Sequence, residues 1–255
     1  MLTGVFLLKG TKMNIIKSIQ NLTRFEWCLW LGSALVVTAS YIAVGEGVLS
    51  LITSLIGVTA LIFVAKGDPL GQLLTVVFSL FYAVVSFEYK YYGEMITYLG
   101  MSAPMAVFSF ISWLKHPYKE CEVEVGRLTK AKAVVLAVLA VAVTAVFYFV
   151  LRALNNNSLF VSTFSVTTSF LAAGLLFLRS PFYAAAYAAN DVVLIILWII
   201  ASISDISFMP MVICFVAFFA NDIYALINWH SMQHRQQKDK KAAKQASVNF
   251  FQQIN

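Results

Sequence analysis

The sequence predicts an all-α, polytopic membrane protein with eight transmembrane helices arranged 1+3+1+3, and three observations carry that prediction. Of its 255 residues, 60% are hydrophobic and only 12% charged, whereas a soluble domain carries about a quarter charged residues. Eight apolar runs approach the roughly 20 residues that cross a hydrocarbon core. Sixteen of the eighteen Lys and Arg residues fall on alternate connections between those runs, the bias that marks cytoplasmic loops.

Residues 1–24 place Lys9, Lys12 and Lys17 among Ile and Leu. That pattern predicts a segment lying on the cytoplasmic surface, not a cleaved signal, because the apolar run is too short. The spans follow at 25–44, 48–64, 73–87, 95–114, 133–151, 159–178, 182–202 and 208–229. The third is short for a full crossing. Gly100 and Pro104 in the fourth invite a local kink. Span 133–151 is almost pure Ala, Val and Leu, as suits a connector facing lipid. Residues 230–255 read as a basic, solvated tail.

Starting inside with Lys9, Lys12, Lys17 and Arg24, the inside connections hold Lys66, then the basic loop 115–132, then Arg179, and finally the tail from Arg235 to Lys244. Only Lys90 and Arg152 fall outside, beside Glu46, Glu88, Glu94 and Asp205. Both termini are therefore expected in the cytoplasm of a bacterial inner membrane protein. Residues 48–114 and 158–229 then form two three-helix blocks of the same orientation. Each has a tight Pro-containing turn after its first span and a closing tryptophan, Trp113 or Trp229. Two adjacent odd-numbered blocks would be inverted, so span 133–151 supplies the crossing that restores the orientation. Parallel repeats of this kind are a transporter architecture with its site near mid-membrane.

Polar side chains in hydrocarbon should face the bundle interior or an aqueous path. Gln72, Thr75, Ser79, Tyr82 and Ser86 are spaced 3, 4, 3 and 4 along one helical stripe. Glu94, Tyr98, Ser102, Ser109 and Ser112 gather on one side of the next span. Ser162, Ser165 and Ser169 share one face of the sixth, and Thr163 and Thr167 another. Hydroxyl stripes are commonly helix-packing surface, and terminal tryptophans commonly interfacial anchors. The pairs Asn190–Asp191 and Asn221–Asp222 are costlier in an apolar helix and are the sharper candidates for a path. Tyr187, Trp198 and Tyr224 lie beside them. The amides of Asn190 and Asn221 suit an uncharged amide or ribose hydroxyls, and aromatic faces suit a flat, cationic ring.

Three scattered cysteines give neither a disulfide framework nor metal spacing, so no metal or cofactor is expected. His116, His230 and His234 lie outside the spans, and no carboxylates sit at active-site spacing, which argues against a membrane enzyme. The net charge of +6 reflects topology and does not point to nucleic acid. A channel or a structural membrane protein is the alternative class. Assembly into a homo-oligomer is left open.

The stretches from Tyr187 to Trp198, from Val212 to Trp229 and from Tyr91 to Pro104 together resemble the PnuC family of nicotinamide riboside transporters. The resemblance implies a fold related to the SWEET sugar transporters. It also implies facilitated diffusion of the cationic riboside, with trapping by a cytoplasmic riboside kinase that phosphorylates it. Related subfamilies are assigned thiamine or riboflavin. On this footing the ring is expected against Trp198 or another aromatic. The amides of Asn190 and Asn221 would hold the ligand's polar groups, and Asp191, Asp222 or Glu94 would offset its charge.

Overall fold

A computed structural model describes residues 5–8, 11–45, 47–88, 91–156 and 159–254. The expected outside charges Glu46 and Lys90, and the inside charge Lys9, lie outside the described residues. A short antiparallel pair, β1 (Val5–Leu8) and β2 (Thr11–Asn14), leads into α1 (Ile15–Gln20). Helix α2 (Arg24–Val44) is fixed at its start by a capping box. The Thr23 hydroxyl accepts from the Glu26 N–H, and the Glu26 carboxylate accepts from the Thr23 N–H.

The bundle then follows as α3 (Val48–Ala65), α4 (Pro69–Glu88), α5 (Tyr92–Thr97) continuing into α6 (Ala103–Lys115), α7 (Lys130–Ala153), α8 (Leu159–Phe177), α9 (Tyr183–Ser204) and α10 (Met209–Ile254). Eight spans are long and apolar enough to cross a bilayer among the described residues. Strands β3 (Pro117–Lys119) and β4 (Glu122–Val123) form a small hairpin after α6.

The third span is not short. Helix α4 begins at Pro69, whose missing N–H is harmless at a first helical position, and the Asp68 carboxylate takes the Leu70 N–H at 2.9 Å. The turn before it uses Gly67 at φ 72°. Gly71 then lets α4 close on α3, because a Cβ there would sit 2.4 Å from Val64 N and 2.8 Å from Phe63 C. Backbone atoms cannot swing away, so Gly71→Ala should destabilise the protein by about 1–3 kcal/mol, read as a lower melting temperature in detergent. Gly100→Ala is the control, since the nearest atom to a Cβ there is Phe147 Cζ at 3.9 Å.

The expected kink resolves as a π-helical segment at Tyr98–Ser102 between α5 and α6, in which the Ala103 N–H reaches back to the Tyr98 carbonyl. Pro104 has no N–H to continue the regular ladder, and the extra residue per turn absorbs that loss. Helix α10 also departs from expectation. It does not end at Trp229 but continues to Ile254, 46 residues in all, or roughly 69 Å at 1.5 Å per residue. About half of that length exceeds a hydrocarbon core of roughly 30 Å. Its first extra turns are buried at Met232 and Gln236.

Helices distant in sequence pack together: α3 lies against α10, and α8 lies against α6. Helix α7 packs on α8, and most of its surface is exposed, as its lipid-like composition suggests. Helix α2 packs on α3 and α10 together. Trp30 donates to Thr59 (3.0 Å), Tyr41 hydrogen-bonds Ser54 (3.0 Å), and Asn221 donates to Ser33 (3.1 Å). One end of the bundle gathers the charged network of Lys66, Glu26, Arg179, Glu124 and Lys240.

Candidate functional site

A cavity of about 80 Å³ lies among α3, α4, the π segment with α6, α8, α9 and α10. Helix α4 supplies Gln72, Thr75 and Ser79 from the stripe with spacing 3 and 4. Gln72 is fully buried, and neither its Nε2 nor its Oε1 has a hydrogen-bond partner. Ser109 Oγ and Asp191 Oδ2, both on the lining, are likewise unpartnered. Buried polar groups normally find partners, so three such side chains around one cavity mark the groups that a polar occupant would satisfy.

Asn190 is partly committed. Its Oδ1 accepts from Thr168 (2.8 Å) and Ser169 (2.9 Å) on α8, which leaves its NH2 as the free side of the amide. Asp191 on α9 and Asp222 on α10 both face the cavity and lie close enough to share a hydrogen bond. No Lys or Arg lines the cavity. Its walls are rings: Tyr98, Tyr187, Phe78, Phe215 and Phe218. Gly57 admits two of them, because a Cβ there would meet Phe218 Cζ at 2.5 Å and Phe78 Cε2 at 2.9 Å.

Aromatic clusters flank the cavity. Toward one end the Tyr82 and Tyr98 rings are 4.2 Å apart, and Trp198 stacks on Tyr91 (5.0 Å) and Phe208 (5.7 Å). Toward the charged end Trp113 and Trp229, both fully buried, have ring centroids 5.4 Å apart. Their indole N–H groups bond helices distant in sequence. Trp229 donates to the Val64 carbonyl of α3 at 3.0 Å, and Trp113 to the Leu176 carbonyl of α8 at 3.3 Å. Both side chains face the bundle interior and not a lipid interface, and each bonds the last turn of a helix distant in sequence, α3 for Trp229 and α8 for Trp113.

A family model described as nicotinamide mononucleotide transporter matches residues 47–231. The chain belongs to that family. Among relatives of this transporter family, the nicotinamide riboside transporter PnuC of Neisseria mucosa is 27% identical over 193 residues, covering 73% of each chain. The crystal structure of the vitamin B3 transporter PnuC superposes with a TM-score of 0.74 at 25% identity, covering 86% of this chain and 97% of that one. The chain is accordingly a multi-pass membrane transporter and not an enzyme. Helix α2 lies outside the stretch that the family model matches.

Of the residues singled out in the sequence, Gln72, Tyr98, Tyr187, Asn190, Asp191 and Asp222 line the cavity. Glu94 is buried near Tyr82 and Tyr98 but is off the lining. Trp198 belongs to the aromatic cluster with Tyr91 and Phe208. Asn221 is turned away because consecutive helical residues diverge by about 100°: with Asp222 on the cavity, Asn221 meets Ser33 and the Ala217 carbonyl. Tyr224 instead donates to Glu26 at 2.6 Å. Thr163 and Thr167 bond backbone carbonyls of their own helix, and Thr167 meets Thr144 of α7 at 2.7 Å, so that face serves the α7–α8 contact. Phe78, Phe215 and Phe218 were not singled out. An apolar ring in an apolar helix carries no sequence signal that separates a wall from a core.

Proposed function

We propose that this protein carries nicotinamide riboside across the bacterial inner membrane by facilitated diffusion. The observation that best supports the reading is the charge of the cavity: an acidic pair, Asp191 and Asp222, that keeps one negative charge when it shares a proton, and no basic side chain on the lining. Such a lining attracts a pyridinium cation, whereas the phosphate of a mononucleotide would meet Asp191 and Asp222 with nothing to offset its charge. Aromatic walls add cation–π attraction. Gln72, Ser109 and the free side of Asn190 complement a carboxamide and ribose hydroxyls.

The helices are read as two parallel triplets, α3–α6 and α8–α10, joined by α7 and preceded by α2. The α3–α10 and α6–α8 contacts and the exchanged tryptophan bonds support this reading. Rocking of one triplet against the other would expose the site on alternate sides. The charged end, and with it both termini, is cytoplasmic by the positive-inside bias. Phosphorylation by a cytoplasmic kinase would then keep the riboside gradient inward.

Counterflow in proteoliposomes tests the assignment. Riboside should exchange and mononucleotide should not; thiamine and riboflavin serve as competitors. Asp191→Asn should weaken riboside binding about tenfold, or ~1.4 kcal/mol, and leave the uncharged dihydropyridine form of the riboside nearly unaffected. Equal binding of mononucleotide and riboside would sink the proposal.

A further inference from the structure

Helix α10 continues past its last membrane turn into a polar stretch, yet Gln236 in that stretch is 2% exposed. Its Oε1 accepts from the Val125 N–H (2.8 Å), and its Nε2 donates to the Val123 carbonyl (3.0 Å) and to Glu122 Oε1 (2.8 Å). The side-chain amide thus serves as a partner for the edge of the β3–β4 hairpin. A hairpin of only two or three residues per strand is not stable alone.

Besides contacts of its turn with α1 (Lys17–Glu120 and Ser18–Cys121) and of Tyr118 with Asp239 on α10, the hairpin is attached by its backbone to two inter-helix turns. The Val123 N–H donates to the Gly67 carbonyl in the α3–α4 turn (2.9 Å). The Gly126 N–H donates to the Arg179 carbonyl in the α8–α9 turn (2.9 Å), and Arg179 Nε donates back to the Glu124 carbonyl (3.0 Å). A Cβ on Gly126 would lie 2.2 Å from the Leu178 carbonyl oxygen, so the approach needs glycine. Val123, fully buried, packs in one cluster with Trp113, Trp229 and Met232. The hairpin therefore spans the α3–α4 and α8–α9 turns directly over the tryptophan pair.

We propose that Gln236 is a positioning residue of the transport cycle: it fastens the β3–β4 hairpin across the Trp113–Trp229 pair, and inward opening requires that clasp to release. The inference rests on the carrier reading above and goes beyond it. Rocking separates the α3 end from α10 and the α8 end from α6, and a hairpin bonded to both turns and to α10 cannot follow both. The hairpin follows α6 in the chain and is bonded to the α3–α4 turn, so release from α10 and from the Gly126–Arg179 contact at the α8–α9 turn frees it to travel with α3–α6. Two ion pairs reinforce the clasp, Arg235–Glu122 (2.5 Å) and Lys240–Glu124. Their basic partners are about half exposed and screened by salt, so the buried amide is the fastening that persists at physiological ionic strength.

The test uses nicotinamide riboside as probe, with equilibrium binding and liposome exchange measured on the same preparations. In a Cys28→Ser, Cys121→Ser background, which removes the native thiols that are not buried, Glu122→Cys with Arg235→Cys is bridged by a short bis-methanethiosulfonate reagent, which spans more than a disulfide can. Bridged protein should bind riboside as before but exchange it at least about tenfold more slowly, and reduction should restore exchange. Gln236→Ala should keep riboside affinity within about twofold. It should raise the maximal exchange rate roughly fivefold, the fold-change equivalent of one net hydrogen bond. Exchange at the parental rate in the bridged protein would overturn the clasp. So would a Gln236→Ala variant whose rate is unchanged, or falls together with binding. Absence of exchange in the unbridged parent would speak instead against the carrier reading.

Discussion

Gln72→Leu is expected to abolish most of the ligand affinity while leaving the ligand-free protein as stable as before, or more so. The two effects have opposite signs for one reason. Both polar atoms of Gln72 are buried without a partner among the protein's own groups, so the fold draws no hydrogen bond from them. Removing an unsatisfied buried amide relieves a penalty of roughly 1–3 kcal/mol, offset in part by imperfect packing of the branched leucine. With a ligand present, the same substitution leaves the ligand's own donors and acceptors unpaired and should weaken binding by roughly 1–3 kcal/mol, about 5- to 150-fold. Calorimetry with riboside and thermal unfolding without it read the two quantities separately. A variant that unfolds earlier and binds normally would show that Gln72 is a packing residue.

Glu26→Ala should do the reverse, bringing a large loss in stability with little loss in binding. Glu26 is 2% exposed and accepts from the Thr23 N–H, Lys66 Nζ (2.9 Å) and Tyr224 OH (2.6 Å). Removing it strands an ammonium that is itself only 16% exposed, together with a phenol and a helix-start N–H. Breaking a buried pair on one side costs about 3–5 kcal/mol. The double variant Glu26→Ala with Lys66→Met should recover much of the loss, since no uncompensated charge then remains. The cavity has no lining residue from α2, so purified variants that stay folded should bind riboside almost normally. A single variant that melts with the parent protein would show that this network contributes nothing.

What the sequence made legible follows from the physics of each signal. Apolar runs and the distribution of Lys and Arg report on the bilayer directly, so the spans were readable, and most ends agree within a few residues. Two ends were not. The start of α4 at Pro69 was hidden because Gly71 and Gln72 lower the local hydropathy, although Asp68 and Pro69 carry a start signal. The extension of α10 was hidden because its burial depends on a hairpin more than a hundred residues away.

At the site, helical periodicity placed Gln72, Thr75 and Ser79 on one face correctly. Adjacent polar pairs were less informative, because the 100° step sends Asn221 and Asp222 to different neighbours and only tertiary packing decides which one meets the cavity. Tyr224 was claimed by Glu26, a partner 198 positions away. A sequence reveals polar residues that need a partner; it does not reveal which partner reaches them.

The two long-range indole bonds have a practical consequence. Trp229 is held by α3 and Trp113 by α8, so the chain before α7 and the chain after it each leave a buried ring without its carbonyl partner when alone. A gene split within α7 should therefore yield two polypeptides that each aggregate or are degraded when produced singly. Produced in the same cell, they should reconstitute a working heterodimer.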